Sequence, residues 1–302
     1  MIRSNQIEWL IIDWGSTNFR AFAMDNKGNL VDKIDHKLGL LQITDGKFAP
    51  SLQQILSDWL GAFQSFPIVM AGMVGSAQGW IPVPYITTPV NINNLGEQAS
   101  SFILPWGAQA TIIPGVSYSD ASGNKDVMRG EEVQLFGLIK MINETNATAL
   151  FPGTHSKHIE FSNNQLNQFS TYMTGELFSI LSAQSILGRD LPKQKPSESA
   201  FYKGVIESNT NNLTHQLFMT RTHRLFGDIE ESAILDYLSG LLIGYETREI
   251  QAKHVYLVGS EKLSTRYQVA CQALSINTTF INGDDAFLAG MLEIIKVINH
   301  EK

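Results

Sequence analysis

The sequence predicts an α/β protein of two units, and three observations carry that prediction. Three strand-like runs open the chain and are followed by helix, strand and helix. The opening pattern of strand, polar turn and strand is echoed near the middle of the chain, at residues 147–161. The length of 302 residues suits two domains with ample core.

Taken in order, the strand-like runs cover residues 8–14, 18–25 and about 29–36. Asp25-Asn26-Lys27-Gly28-Asn29 joins the second to the third and is rich in residues that tolerate positive φ. A helix is expected over 51–63, capped by Ser51, with Leu52, Ile55, Leu56, Trp59 and Leu60 on its apolar face. The short buried strand Ile68-Val69-Met70-Ala71 follows. This order is the opening of a ribonuclease-H-like sheet rather than of a doubly wound one. Residues 72–128, rich in Gly, Pro, Asn and Ser, read as long loops with short strands, which in a compact enzyme carry function. A helix over about 130–145 closes this half. The second half reads as strand 147–151, a turn, a strand through 158–161, and helices near 174–188, 197–209, 212–226 and 230–251. Strand Val255–Val258, a helix, a strand near 276–281 and a last helix from about 284 complete it. The expected domains are therefore 1–145 and 146–302.

Composition narrows the function. Hydrophobic residues at 43% and charged ones at 17% describe an ordinary globular chain. A net charge of −7 argues against nucleic acid as a partner but not against a nucleotide, which needs only local donors and one magnesium. The single cysteine, Cys271, excludes an intramolecular disulfide and suits a reducing cytosol. The opening Met1–Gln6 lacks a leader's apolar core, and no run is long enough to span a bilayer, so a cytoplasmic protein without a membrane partner is expected.

The first turn holds one carboxylate, Asp13, one glycine, Gly15, and two hydroxyls, Ser16 and Thr17. A nucleotide phosphate and its metal need such groups: backbone N–H donors, hydroxyls, and an acid for hydrated magnesium. The competing reading is a hairpin turn that happens to be polar. A strand-to-strand turn is neither a P-loop nor a dinucleotide fingerprint, both of which run into a helix. Met128-Arg129-Gly130-Glu131-Glu132-Val133 sits at a helix start, where acids complement the dipole. It also offers an acid for a hydroxyl proton and, in Arg129, a cation for substrate charge. Pro152-Gly153-Thr154-His155-Ser156-Lys157-His158 puts small, hydroxyl and cationic residues in one bend. Lys157 is the better phosphate candidate there, since a spacing of three on a strand sends His155 and His158 to opposite faces. In Gly72-Met73-Val74-Gly75-Ser76-Ala77-Gln78-Gly79-Trp80 the glycines permit close backbone approach beside Ser76 and Gln78, and Trp80 is a candidate to stack on a sugar ring. Thr174 reads as a helix cap, and Gly259-Ser260, between strand and helix, suits a nucleotide seat.

Together the segments IIDWGSTNFRAF, VMAGMVGSAQGW, IIPGVS, DVMRGEEVQLFG, FPGTHSKHI, TYMTGELF, LSGLLIGYE and VYLVGS resemble the actin/hexokinase/Hsp70-type ATPase superfamily and its sugar kinases. More closely, the set is similar to the 2-dehydro-3-deoxygalactonokinase family. The resemblance implies two ribonuclease-H-like (actin-like ATPase) domains with ATP and a sugar acid in a cleft between them. It implies ATP-dependent phosphorylation of the 6-hydroxyl of 2-dehydro-3-deoxy-D-galactonate with Mg2+, the metal held by Asp13. By the same likeness Asp13, Gly15, Ser16 and Thr17 form a first phosphate loop, Gly153, Thr154 and His155 a second, and Gly259 and Ser260 border adenosine. Gly-Glu-Glu at 130–132 resembles the Gly-Asp-Gln-Gln of glycerol-kinase-like enzymes, which puts the base on Glu131. A related exopolyphosphatase pattern leaves Glu132 open. Arg129, Arg20 and Lys157 are the candidate cations for the substrate carboxylate. A homodimer is a family-level expectation only. The rival readings are a kinase for another sugar or sugar acid, an exopolyphosphatase-type phosphatase, and a non-enzymatic nucleotide switch.

Overall fold

The computed structural model describes residues 6–209 and 212–300. Met1–Asn5, read above for want of a leader's apolar core, lie outside the described residues. Among those described, residues 6–145, 162–168 and 285–300 form one compact unit, and residues 146–161 and 169–284, apart from 210 and 211, form a second. No helix among the described residues is long and apolar enough to cross a membrane.

The first unit begins with β1 (Trp9–Trp14), β2 (Phe19–Met24) and β3 (Leu30–His36), an antiparallel meander. Leu10, Ile11, Ile12 and Trp14 of β1 are all fully buried. A continuous apolar run, rather than an alternating one, marks a strand covered on both faces. β3 carries Asp32, Lys33, Asp35 and His36 at the sheet edge, where charge discourages further pairing. In the β2–β3 turn the Asp25 carboxylate accepts N–H bonds from Lys27 and Asn29, both at 2.8 Å, and Gly28 takes φ +81°. Asp120, Gly123 and Asn124 build the same turn further on.

α1 (Phe48–Leu60) starts three residues before the Ser51 cap expected from the sequence. Pro50 sits in the first turn, where no intrahelical N–H is needed, and Phe48 is drawn into the core beside Trp14, their centroids 5.4 Å apart. β4 (Ile68–Ala71) then runs parallel to β1, with Ala71 opposite Asp13. The loop-rich stretch contains more regular structure than its composition suggests: β5 (Ile86–Thr87), α2 (Ile92–Glu97), β6 (Ser100–Ile103), β7 (Gln109–Ile112), β8 (Val116–Ser119) and β9 (Lys125–Met128). β6 and β7 extend the main sheet to the order β3-β2-β1-β4-β7-β6, while β5, β8 and β9 form a separate small sheet. α3 (Glu131–Met141) follows β9 directly.

The second unit comprises β10 (Asn146–Phe151), β11 (Ser156–Ser162), β12 (Gln165–Tyr172), α4 (Thr174–Gln184), α5 (Glu198–Glu207), α6 (Leu213–Phe226), α7 (Ile234–Thr247), β13 (His254–Gly259), α8 (Glu261–Ala273) and β14 (Asn277–Asn282). The tip of the β11–β12 hairpin, residues 162–168, counts with the first unit, where Leu166 bridges Val90. The sheet order is β12-β11-β10-β13-β14. It repeats the plan β3-β2-β1-β4-β7, so the echo of two turns in the sequence is an echo of whole sheets. β12 was not expected: only Leu166 and Phe169 are buried apolar residues in it, and its edge position tolerates the polar remainder.

The last helix, α9 (Gly283–His300), was expected in the second half, yet its described residues from 285 onward belong to the first unit. Glycines explain the allegiance. A Cβ on Gly137 of α3 would stand 1.7 Å from the Ala286 carbonyl oxygen, and one on Gly290 1.9 Å from that of Val133. The backbones of α3 and α9 therefore touch, and Phe287 packs on Phe22 at 6.1 Å between centroids. Gly137→Ala should accordingly destabilise the protein by roughly 2–3 kcal/mol through forced separation of the two helices. Gly153→Ala, whose added methyl meets open space, should leave the unfolding midpoint unchanged in the same denaturant titration.

Candidate active site

In the first unit the site grows from the end of β1. Asp13 stands opposite Arg20 in the β1–β2 register, so their side chains share one face of the sheet. Arg20 Nε donates to Asp13 Oδ2 at 3.0 Å, and Nη2 donates to the same oxygen. Oδ1 is turned toward Gly72, where a Cβ would come within 3.2 Å of it and 2.8 Å of the Trp14 carbonyl oxygen. Gly72 also takes φ +93°, so both space and backbone demand glycine there. A Cβ built on Gly130 would lie 3.8 Å from the Gly72 Cα. Asp13, Gly72 and the start of α3 therefore converge.

The turn after Asp13 is braced from behind. Gly39 N–H donates to the Thr17 carbonyl (3.1 Å), Leu40 N–H to Gly15 (2.9 Å) and Leu41 N–H to Ser16 (3.1 Å). In a trans peptide the N–H points opposite to its carbonyl, so the N–H groups of Ser16, Thr17 and Asn18 face the other way. A row of such donors suits an anion. Gly39 makes the brace possible, because a Cβ there would lie 2.3 Å from the Ser16 and Thr17 backbone. The sequence reading did not include Gly39; a glycine just after the charged edge strand was the only available signal.

Gly130 caps α3 with φ +110°. Glu132 folds back so that both carboxylate oxygens accept the Gly130 N–H, at 2.8 and 2.7 Å, and it is fully buried. Burial, and secondly the charge of Glu131, push its carboxyl up to about 8, against the lowering pull of the Gly130 N–H and of Arg129. Glu131, one residue earlier, is half-exposed. Arg129 lies with its guanidinium 4.1 Å from the Tyr85 ring centroid and donates from Nη2 to the Val83 carbonyl. Gly75 and Gly115 line its berth, and Ser76 beside Gly75 is buried, while Gln78 is exposed. Trp80, the candidate to stack on a sugar, has aromatic neighbours. Its half-buried ring lies nearly parallel to Phe48 at 6.2 Å, meets Trp14 and Phe102 edge-on, and packs against the core.

The second unit repeats the scheme. Gly153, Thr154 and His155 connect β10 to β11, and the start of α4 braces them: Glu176 N–H donates to the Thr154 carbonyl at 3.0 Å. A Cβ on Gly175 would lie 2.4 Å from the Gly153 carbonyl oxygen. His155 pairs with Glu176 through Nε2, and Lys157, largely buried, donates to the His155 carbonyl at 3.3 Å. Thr174 is the first residue of α4 rather than its cap, which is Met173. Gly259 ends β13, parallel to β10, and a Cβ on it would lie 3.7 Å from the Pro152 carbonyl oxygen. The Gly153 loop and the Gly259–Ser260 turn thus meet at the carboxyl ends of neighbouring parallel strands, the usual ligand position in α/β sheets. Beneath them Glu246 accepts from Ser156 Oγ (2.6 Å), His158 Nε2 (2.9 Å) and the Tyr267 hydroxyl (2.7 Å). This buried network escaped the sequence reading, since Glu246 lies 90 residues from Ser156 and 21 from Tyr267.

The residues at Asp13 fit a magnesium–nucleotide complex better than a protein cage for a metal. One anchored carboxylate with a turned-out oxygen is what hydrated magnesium uses, the phosphates and water supplying the rest. Among the described residues no three His, Cys, Asp or Glu side chains gather to hold a metal ion.

Two α/β units of one plan, each with a braced small-residue loop at the carboxyl end of its central strand, make a sugar-kinase-like fold. The family described as 2-keto-3-deoxy-galactonokinase matches residues 13–294, and the chain belongs to that family. It is 36% identical over 298 residues to the 2-dehydro-3-deoxygalactonokinase of Escherichia coli (strain K12), covering 96% of this chain and 98% of the relative. A crystal structure of a Sinorhizobium meliloti protein assigned as a 2-dehydro-3-deoxygalactonokinase superposes with a TM-score of 0.87 at 29% identity, over 96% of this chain and 99% of that one. The activator of a 2-hydroxyisocaproyl-CoA dehydratase from Clostridium difficile, solved with bound ADPNP, shares the fold at a TM-score of 0.50 and 10% identity, covering 97% of this chain and 96% of that one.

The raised Glu132 carboxyl makes a stability prediction. Between its ordinary value of 4.5 and about 8 the folded protein keeps a proton that the unfolded chain has released. Its contribution is therefore complete below 4.5 and is lost as pH rises toward 8. Glu132→Gln lacks this dependence. Denaturant titrations should show the variant gaining stability relative to the parent from pH 5 to pH 8, roughly the interval between the two pKa values. A difference independent of pH would contradict the burial of an ionisable group here.

Proposed function

We propose that this chain transfers the γ-phosphate of ATP to the 6-hydroxyl of 2-dehydro-3-deoxy-D-galactonate, giving ADP and 2-dehydro-3-deoxy-6-phospho-D-galactonate. The observation that carries the proposal is the family match over residues 13–294, which contains every element of the site just described. The geometry supports it by gathering an anchored carboxylate, a row of N–H donors and an acidic helix start in the first unit.

Each residue then has a task. Glu131 takes the proton of the attacking hydroxyl as its oxygen forms a bond to the γ-phosphorus. The bond from that phosphorus to the bridging oxygen breaks, and ADP leaves with the electron pair. Asp13, steadied by Arg20, holds Mg2+, which when bound offsets charge on the phosphate chain. The N–H groups of Ser16, Thr17 and Asn18, with the two hydroxyls, take phosphate oxygens. In the second unit Gly153, Thr154, His155 and Lys157 serve the phosphates, and Gly259 and Ser260 border the adenosine. Gly75, Ser76 and Gln78 serve the sugar acid, and a cation from among Arg129, Arg20 and Lys157 meets its carboxylate. Both sheets are read as ribonuclease-H-type, the domains as divided near residue 145, and the setting as the cytoplasm, where ATP is at hand.

The test is ATP consumption with magnesium over a panel of 2-dehydro-3-deoxygalactonate, 2-dehydro-3-deoxygluconate, galactonate, glucose, glycerol and no sugar. Turnover confined to the first compound is expected. Equal activity on neutral sugars, or phosphate release without any acceptor, would overturn the assignment. Glu131→Gln should lower kcat by at least roughly 100-fold while leaving the KM for ATP nearly unchanged. Undiminished kcat would move the base to Glu132.

A further inference from the structure

We infer that Arg129, together with the hydroxyl of Ser76, reads the carboxylate of the substrate, and that Arg20 is a positioning residue for Asp13. The inference rests on the sugar-acid kinase reading above and deepens it.

An acid substrate brings one permanent charge, and its recognition needs a cation with donors to spare. Arg20 commits Nε and Nη2 to Asp13. Lys157 directs its ammonium to the His155 carbonyl within the second unit. Arg129 differs: Nη2 reaches the Val83 carbonyl, but Nε and Nη1 are buried with no hydrogen-bond partner. Ser76, only 5% exposed, likewise has a buried Oγ without a partner. Charged donors left unmet inside a protein are costly, and a native fold keeps them where a ligand will meet them.

The berth is built for this side chain. A Cβ at residue 115 would strike Arg129 Cγ at 2.4 Å, and one at residue 75 would lie 3.0 Å from Nη1. Both positions are glycine, and Ser76 follows directly on the one that faces Nη1. Tyr85 covers the guanidinium plane, which steadies the cation through its ring face and satisfies none of its N–H groups. The Tyr85 ring is itself 40% exposed, so the covered guanidinium lies close to the surface. Arg129 adjoins Gly130 and Glu131 in sequence, so a carboxylate held there brings the sugar acid to the start of α3.

The experiment compares the sugar acid with its carboxamide, which keeps the hydroxyls and removes the charge, in the parent, Arg129→Gln, Arg129→Lys and Ser76→Ala. The parent should prefer the acid strongly. Arg129→Gln should raise the KM for the acid by roughly 100-fold, leave the KM values for the carboxamide and for ATP near the parent's, and so erase the preference. Arg129→Lys should restore part of it, and Ser76→Ala should weaken it several-fold. If Arg129→Gln or Arg129→Lys retains the parent's full preference, or if both variants lose acid and carboxamide turnover alike, the assignment fails while the kinase reading stands. A parent that phosphorylates no sugar acid would overturn both.

Discussion

The ion pair between Asp13 and Arg20 is the constraint around which the first unit's site is arranged. Being cross-strand neighbours, the two side chains are aligned by the hairpin itself, and a single carboxylate oxygen takes both arginine donors. That leaves the other oxygen directed at Gly72, where there is no side chain to meet it. The close approach of Gly130 to Gly72 then brings the acidic start of α3 to the same point. A pair 13% and 27% exposed contributes modestly to stability, so its value lies in fixing the direction of a charge.

Glycine backs the candidate loop in each unit. Gly39 lets the Leu40–Gln42 turn press on the first loop, and Gly175 lets α4 press on the second. In both cases hydrogen bonds draw loop carbonyls to the rear. Helix pairs are set by the same means. Gly137 meets Gly290 between α3 and α9, while Gly204, Gly240 and Gly244 bring α5 against α7. Backbone-to-backbone contact of this kind cannot relax by rotating a side chain, so it transmits position better than an apolar interface does. The acids of α3 are thus held by a helix from the far end of the chain.

Much of this was legible in the sequence because the relevant residues are contiguous. Leu10–Trp14 declares a strand covered on both faces, and Asp13 to Thr17 declare a polar turn at its end. Arg129 to Glu132 lie in one helix start, and Gly153 to Lys157 in one bend. What was not legible depends on partners distant in the chain. The neighbours of Trp80, Phe48 and Phe102, lie far from it in the sequence and meet its ring only in the fold. Gly39 acts on residues 16 and 17, Glu246 on residues 156, 158 and 267, and Tyr85 on Arg129. The allegiance of α9 was hidden for the same reason, since a glycine in a helix reads as a weak point until the opposing backbone is seen.

The central claim is that the phosphoryl group ends on the terminal carbon's hydroxyl of a sugar acid. Phosphorus NMR of the reaction of this protein with ATP, magnesium and 2-dehydro-3-deoxygalactonate tests it directly, because the coupling pattern reports the carbon that bears the phosphate. A new phosphomonoester signal split into a triplet by the two protons of a CH2 group, growing as ADP forms, is the predicted result. A doublet from a ring or chain CH, or inorganic phosphate and ADP with no phosphomonoester signal, would contradict the account.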